Sequence, residues 1–142
     1  VLLDREQVLA GAPAVLAEAG ADDAVELVAG DFFAEVPAGD LHVLCQVLHD
    51  WDDDHVDRIV RNCARASPPG GRLTVIEHVL PSTTEPSLAH VMDLMMLMAG
   101  SGRERTREEH EALLAPAGYA LVRHLPLPGS MPWHVLEFER AG

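Results

Sequence analysis

The sequence is poor in the residues that bind anionic polymers. Lysine and arginine together number only 10 against 23 acidic residues, which gives a formal net charge of −13 in 142 residues. Because contacts to phosphate backbones or anionic lipids need clustered basic side chains, this balance argues against nucleic-acid and membrane-surface partners. No run of about 18 apolar residues is present, as a membrane-spanning helix would need. The first residues also lack the basic-then-apolar layout of a signal peptide. The sequence therefore predicts a soluble, cytoplasmic protein whose partners are small molecules or other proteins.

Cysteine is also scarce, with only Cys45 and Cys63, and these two do not form a CxxC pair. Each lies in an apolar segment, so the sequence predicts two buried, reduced thiols. Apart from His49, the histidines are scattered without the HxH or i, i+4 spacing of metal sites, and no metal is predicted. These seven histidines are His42, His55, His78, His90, His110, His124 and His134.

Apolar runs alternate with helical patterns along the chain, which is typical of parallel strands joined by crossover helices. The predicted strands cover residues 1–4, 24–31, 41–50, 72–80, 119–127 and 132–140. The predicted helices cover residues 6–20, 52–67, 87–98 and 106–119. The apolar helix at 87–98 lacks a clear polar face and is expected to pack between other elements. The pattern predicts an open, mostly parallel α/β sheet that ends in an antiparallel hairpin.

Polar side chains stand at the carboxyl ends of four predicted strands. They are Asp4, Asp31, the pair His49 and Asp50, and Glu77. Sheets of this kind bind ligands beyond the carboxyl ends of their strands. The sequence therefore predicts a functional site at this edge.

Two of these acids suggest contacts to a nucleoside. The carboxylate of Asp4 offers two oxygens to the paired hydroxyls of a ribose, although an aspartate that caps the following helix has the same spacing. Asp31, followed by Phe32, would suit an adenine amino group and ring. Residue types alone leave both interpretations open.

His49 is the candidate for proton transfer, because an imidazole titrates near neutral pH and can remove a proton from a hydroxyl. A carboxylate is needed to fix its tautomer, and Glu77 or Glu104 would supply one. A single histidine is more often structural than catalytic. Its position at the edge of the sheet favours the catalytic interpretation.

Several segments carry a family resemblance that spans almost the whole chain. They are "VLLDREQV", "VAGDFF", "LCQVLHDWDDDH", "PPGGRLTVIEHVLP" and "MDLMMLMAGSGRERTREEHEALLAPAGY", followed by the terminal hairpin. In this order they resemble the S-adenosylmethionine-dependent O-methyltransferases of the plant caffeate and acetylserotonin type, whose bacterial members act on natural products. The resemblance implies a Rossmann-like methyltransferase sheet and S-adenosylmethionine as cofactor. It also implies methyl transfer to a hydroxyl, most simply a phenolic one, of a small-molecule acceptor.

The resemblance also assigns roles to individual residues. It implies cofactor contacts at Asp4, Asp31, Phe32 and Cys45. It implies a catalytic base at His49, flanked by the carboxylates of Glu77 and Glu104. It implies acceptor contacts at Asp50, Met95 and Met98.

Two parts of the family's pattern are missing, namely the first strand with its glycine-rich loop and the N-terminal dimerisation domain. Residues 1–142 are therefore expected to form a partial methyltransferase catalytic domain that is inactive alone, with a homodimer expected only for the full-length parent. One alternative is a non-catalytic paralogue or gene remnant that acts as an interaction module. Another is a family member redirected to hydroxylation or decarboxylation.

Overall fold

The computed structural model describes residues 1–83, 86–100, 102–129 and 131–141, and the bounds of its elements are as follows. The strands are β1 (Leu2–Asp4), β2 (Leu27–Ala29), β3 (Leu41–Cys45), β4 (Arg72–Leu80), β5 (Arg105–Thr106), β6 (Tyr119–Pro126) and β7 (Trp133–Arg140). The α-helices are α1 (Glu6–Leu9), α2 (Ala12–Glu18), α3 (Asp53–Ala66), α4 (Leu88–Ala99) and α5 (Arg107–Leu114). Short 3₁₀ turns cover Leu48–Asp50 and Ala115–Ala117.

The strands form a mixed sheet in two pieces. β1 pairs with β2 in parallel, and the larger piece has the order β3-β4-β7-β6, with β5 beside the end of β4. Strand β4 is parallel to β3 and β5 and antiparallel to β7, which in turn pairs with β6 as a hairpin. Parallel strands joined by helices and a closing antiparallel hairpin confirm the predicted α/β architecture. Ser130, in the predicted hairpin connection, lies outside the described residues.

The core lies between the larger sheet and helices α3 and α5. Val56, Ile59 and Val60 of α3 are fully buried, as are Leu136 and Phe138 of β7. The N-cap of helix α3 is Asp52, whose side chain accepts a hydrogen bond from the backbone N–H of His55 at 3.0 Å. Helix α5 starts with the predicted capping box of Thr106 and Glu109. Since these start signals are local, both helices begin close to where the sequence places them.

Three predicted elements differ in the structure. The single helix expected at residues 6–20 is two short helices, because Pro13 in the first turn of α2 has no N–H with which to continue α1. The strand expected at 41–50 ends at Cys45, and Gln46 follows in the left-handed region with φ of 53°. Helix α4 is not packed between other elements, since many of its apolar side chains are exposed.

In the described ranges, no helix combines the length and apolar character that crossing a membrane requires.

Candidate functional site

His49 lies in a short 3₁₀ turn directly beyond the carboxyl end of β3, and not within the strand as predicted. The turn covers Leu48–Asp50, and the following Trp51 leads into α3. His49 is only 7% exposed. A buried imidazole needs a polar partner, and the site is built around the groups that provide one.

The partner of the imidazole ring is Glu104, which precedes β5. Its Oε1 lies 3.1 Å from Nδ1 of His49, and its side chain is fully buried. A carboxylate only accepts, so Nδ1 of His49 carries the proton and Nε2 is left as the nitrogen that can take up another. This hydrogen bond raises the pKa of His49, although burial acts in the opposite direction. The charges of Glu77, Glu104 and Asp50 add to the increase in the pKa.

Glu77 contacts the backbone of the same turn, and it lies inside β4, three residues before the strand's end. Its Oε1 accepts hydrogen bonds from the N–H groups of Leu48 at 2.6 Å and His49 at 3.1 Å. Burial raises the pKa of Glu77 to about 7, although these contacts oppose the increase. The structure thus brings Glu77 and Glu104 together at His49 but gives them different partners, the backbone and the ring.

The segment that carries Glu104 touches the histidine turn at several further points. The backbone N–H of Arg103 donates to the carbonyl of His49 at 2.8 Å. Gly102 packs so closely that a Cβ there would clash with the carbonyl oxygen of His49. The buried side chain of Arg105 donates to the carbonyls of Leu48 and Trp51. Arg105 lies within one of the segments that carry the family resemblance, but no role was predicted for it. The sequence did contain a signal for Arg105: it directly follows the candidate catalytic acid Glu104, in a chain with few basic residues.

The residues implied for cofactor binding lie at the ends of β1 and β2. Asp4 is in register with Ala29, which places Asp4 and Asp31 at the same edge of the parallel pair. Oδ1 of Asp4 accepts from the N–H of Arg5 at 2.7 Å, and Oδ1 of Asp31 accepts from the N–H of Phe33 at 2.8 Å. The N-cap of α1 is Arg5, so Asp4 does not cap that helix.

An aromatic cluster joins this edge to the histidine turn. The ring of Trp51 packs edge-to-face on Phe33, with centroids 4.6 Å apart, and lies 6.2 Å from the ring of Phe32. The backbone carbonyl of Phe32 accepts a hydrogen bond from Asn62 of α3 at 2.6 Å. Trp51, for which no role was predicted, connects the loop after β2 to the turn that carries His49.

Four other candidate residues are exposed. Cys45, the last residue of β3, is exposed, so the prediction of a buried thiol is wrong for Cys45, whereas Cys63 is buried. Strand β3 forms one end of its sheet, and its side chains alternate in exposure. The side chain of Asp50 is mostly exposed, with Oδ1 3.7 Å from Nε2 of His49. Met95 and Met98 lie on the open face of α4, where Met98 is 81% exposed.

Among the residues that the structure covers, no group of three metal-ligating side chains is present.

Comparison with known proteins identifies the family. Residues 1–120 match the O-methyltransferase domain family model, so the chain belongs to the O-methyltransferase family. The phenazine O-methyltransferase PhzM of Lysobacter antibioticus is 46% identical over 127 residues, which are 89% of this chain and 37% of that protein. The mitomycin biosynthesis 6-O-methyltransferase of Streptomyces lavendulae is 40% identical over 141 residues, 99% of this chain and 40% of the relative.

Solved structures agree with this assignment. The O-methyltransferase NcsB1 of neocarzinostatin biosynthesis, solved with S-adenosylmethionine and 2-hydroxy-5-methyl naphthoic acid, has a TM-score of 0.82 and 34% identity. The match covers 97% of this chain and 40% of that structure. The chain therefore spans about 40% of the length of relatives such as these.

Proposed function

We propose that this chain provides the proton-transfer part of an S-adenosylmethionine-dependent O-methyltransferase, with His49 as general base. The observation that carries the proposal is the hydrogen bond between Nδ1 of His49 and the buried carboxylate of Glu104. It holds the proton on Nδ1, so Nε2 is the nitrogen that takes the proton of the acceptor hydroxyl. The same carboxylate stabilises the imidazolium that results.

The described residues suit the cofactor implied by the family. One oxygen of the Asp4 carboxylate is bonded to the adjacent backbone, and the second has no hydrogen-bond partner among the described residues, so it remains free to accept from a ribose hydroxyl. Asp31 and Phe32 follow β2 at the same edge and would hold the adenine. When bound, S-adenosylmethionine supplies an electrophilic methyl group. Direct attack by the acceptor oxygen needs no covalent intermediate on the protein, and this chain's part is to orient the acceptor and remove its proton.

The relatives support a proposal for the acceptor class. NcsB1 was solved with a hydroxynaphthoic acid, and other relatives are named for phenazine and mitomycin. We infer a small aromatic acceptor with a phenolic hydroxyl. Asp50 lies near Nε2 of His49, and Met95 and Met98 present apolar surface on α4, so all three are proposed acceptor contacts. A homodimer of the full-length parent and a cytoplasmic location remain predictions.

The test is His49→Gln in the full-length protein, assayed by methyl transfer from labelled S-adenosylmethionine to a panel of hydroxynaphthoic acids and hydroxyphenazines. Turnover is expected to fall by about 10² to 10⁴, the usual contribution of a general base, with S-adenosylmethionine affinity nearly unchanged. The matched control is His90→Gln, an exposed histidine in the first turn of α4 for which the described residues provide no side-chain hydrogen bond. Near-normal turnover of His49→Gln would rule His49 out as the base. Cofactor binding with hydroxylation or decarboxylation of the panel would assign the chain to a redirected family member.

A further inference from the structure

Arg105 is a buried cation whose surroundings are unusual for an arginine. Its side chain is fully buried, whereas that of its anionic partner Asp53 is about half exposed. A buried guanidinium is tolerated only where its N–H groups find acceptors, because the charge loses its hydration. The acceptors of Arg105 therefore indicate what this residue does.

Two of those acceptors are backbone carbonyls on either side of His49. Nη1 of Arg105 donates to the carbonyl of Leu48 at 2.9 Å, and Nη2 donates to the carbonyl of Trp51 at 2.8 Å. Nη2 and Nε also donate to Oδ1 of Asp53, at 2.7 and 3.1 Å. One rigid, planar group thus joins both ends of the histidine turn to the first residue of α3.

The residues that precede Arg105 in the chain contact the same turn. The N–H of Arg103 bonds the carbonyl of His49, and Gly102 allows the two backbones to approach closely. Glu104 binds the His49 ring at 3.1 Å. The backbone of the turn and the ring of His49 are therefore held by one short segment, residues 102–105. A displacement of the turn relative to this segment would lengthen the bond between His49 and Glu104.

We propose that Arg105 is a positioning residue for His49. By bonding the carbonyls of Leu48 and Trp51, it fixes the turn so that the His49 ring stays within hydrogen-bond range of Glu104. An effect of Arg105 on turnover rests on the proposed role of His49 as general base. Its effect on the position of the His49 ring does not depend on that role.

The guanidinium shape is essential to this role. Lysine would keep the positive charge, but its single nitrogen cannot span both carbonyls and the carboxylate as the planar fork does. Arg105→Lys therefore loosens the turn without removing the charge. The hydrogen bond to Glu104 is the largest cause of the raised pKa of His49, so a looser turn lets this pKa fall towards its ordinary value.

Other charged or titratable groups also surround this bond, and all are unchanged in the variant. They are Glu77 and His78 on β4, Asp50 on the turn itself, Asp93 on α4 and His110 on α5.

The experiment compares Arg105→Lys with Arg107→Lys in the full-length protein. Arg107 is the matched control because it is an exposed arginine two residues away whose ion pairs are with Glu108 and Glu111. The pKa of His49 is measured by NMR titration of its Cε1–H resonance, together with kcat, KM for 2-hydroxy-5-methyl naphthoic acid, Kd for S-adenosylmethionine, and Tm. Arg105→Lys is expected to lower kcat by about 10- to 100-fold, as a small misplacement of a catalytic group does. It is also expected to lower the pKa of His49 by at least about 0.5, while KM and Kd change by less than about threefold. The control should change none of these values.

Each outcome decides the proposal. A lower Tm with unchanged kcat and an unchanged pKa of His49 would show that Arg105 is only structural. If Arg105→Lys does not fold, Gly102→Ala tests the same idea, because its Cβ would push the carbonyl of His49 away from the segment. In that variant the pKa of His49 must fall for the proposal to stand. A shifted pKa in Arg105→Lys together with full activity of His49→Gln would retain the positioning role and overturn the proposed base.

Discussion

Replacing Glu77 with glutamine should change how stability depends on pH. Burial raises the pKa of Glu77 from 4.5 to about 7, because the folded protein disfavours the charged carboxylate. The folded state therefore holds this proton more tightly than the unfolded chain does. The resulting stabilisation is complete below pH 4.5 and is lost as the pH rises to about 7.

The size of the effect follows from the same two values. A difference of about 2.5 between the two pKa values corresponds to up to about 3 kcal/mol, at about 1.4 kcal/mol for each unit. Glutamine keeps an oxygen that can accept from the N–H groups of Leu48 and His49, and it carries no charge. Relative to the wild type, Glu77→Gln should therefore gain up to about 3 kcal/mol in free energy of unfolding as the pH rises from 4.5 to 8.

Urea unfolding of the full-length protein at constant ionic strength, from pH 4.5 to 8, measures this difference. Glu139→Gln is the matched control, since Glu139 lies on β7 with its side chain about half exposed, 4.0 Å from Arg72. Its free energy of unfolding should follow the wild-type curve within about 0.5 kcal/mol. Parallel curves for Glu77→Gln and the wild type would refute the reasoning. A uniform loss of stability in Glu77→Gln would instead show that the two N–H groups require a charged acceptor.

Two further predictions concern His110 and Asp4. Burial lowers the pKa of His110 to about 3, so its stabilisation is present above its ordinary pKa of 6.5 and is lost as the pH falls. In the same urea series, His110→Leu should gain up to about 2 kcal/mol relative to the wild type between pH 8 and 5, because no hydrogen bond to its ring is lost among the described residues. The control is His90→Leu at an exposed position, which should show no gain in free energy of unfolding relative to the wild type. If the free energy of unfolding of His110→Leu varied with pH as that of the wild type does, the prediction would be contradicted. Asp4→Ala should weaken S-adenosylmethionine binding by about 1.5–3 kcal/mol in calorimetry, the usual value of hydrogen bonds to a charged group. Asp23→Ala, on an exposed loop, should leave this affinity unchanged. If Asp4→Ala bound S-adenosylmethionine as tightly as the wild type, Asp4 would not be a cofactor ligand and would have only its structural hydrogen bond to the N–H of Arg5.

The elements that could be predicted from the sequence are those whose signals are local. Helix α5 was placed by the capping pair Thr106 and Glu109, and α3 by its apolar period and acidic start. The end of β3 was missed because residues 41–48 form a nearly continuous apolar run, which gives no sign that Gln46 adopts a positive φ. The exposure of Cys45 and of α4 was also missed, because an apolar residue does not reveal which surface will cover it.

The candidate site was predictable in part, and mostly from the family resemblance. Residue types alone suggested His49 with a carboxylate, but left open which one it would be. His49 and Glu104 are 55 positions apart, so the bond between them depends on how β3, β4 and β5 align. Arg105 was missed because an arginine in a charged segment is normally exposed. Its burial follows from the path of the histidine turn, which no local pattern encodes.

Three costly features of the structure converge on that turn. Gln46 has a left-handed backbone conformation, Glu77 is a buried carboxylate with a raised pKa, and Arg105 is a buried cation. Each would be destabilising in isolation, by amounts of about 1–3 kcal/mol for the backbone conformation and for the carboxylate. Gln46 turns the chain out of β3. Glu77 accepts from the N–H groups of Leu48 and His49, and Arg105 donates to the carbonyls of Leu48 and Trp51. Because strained and buried polar groups persist where they fix a functional geometry, their convergence at one histidine supports a catalytic role for His49 over a structural one.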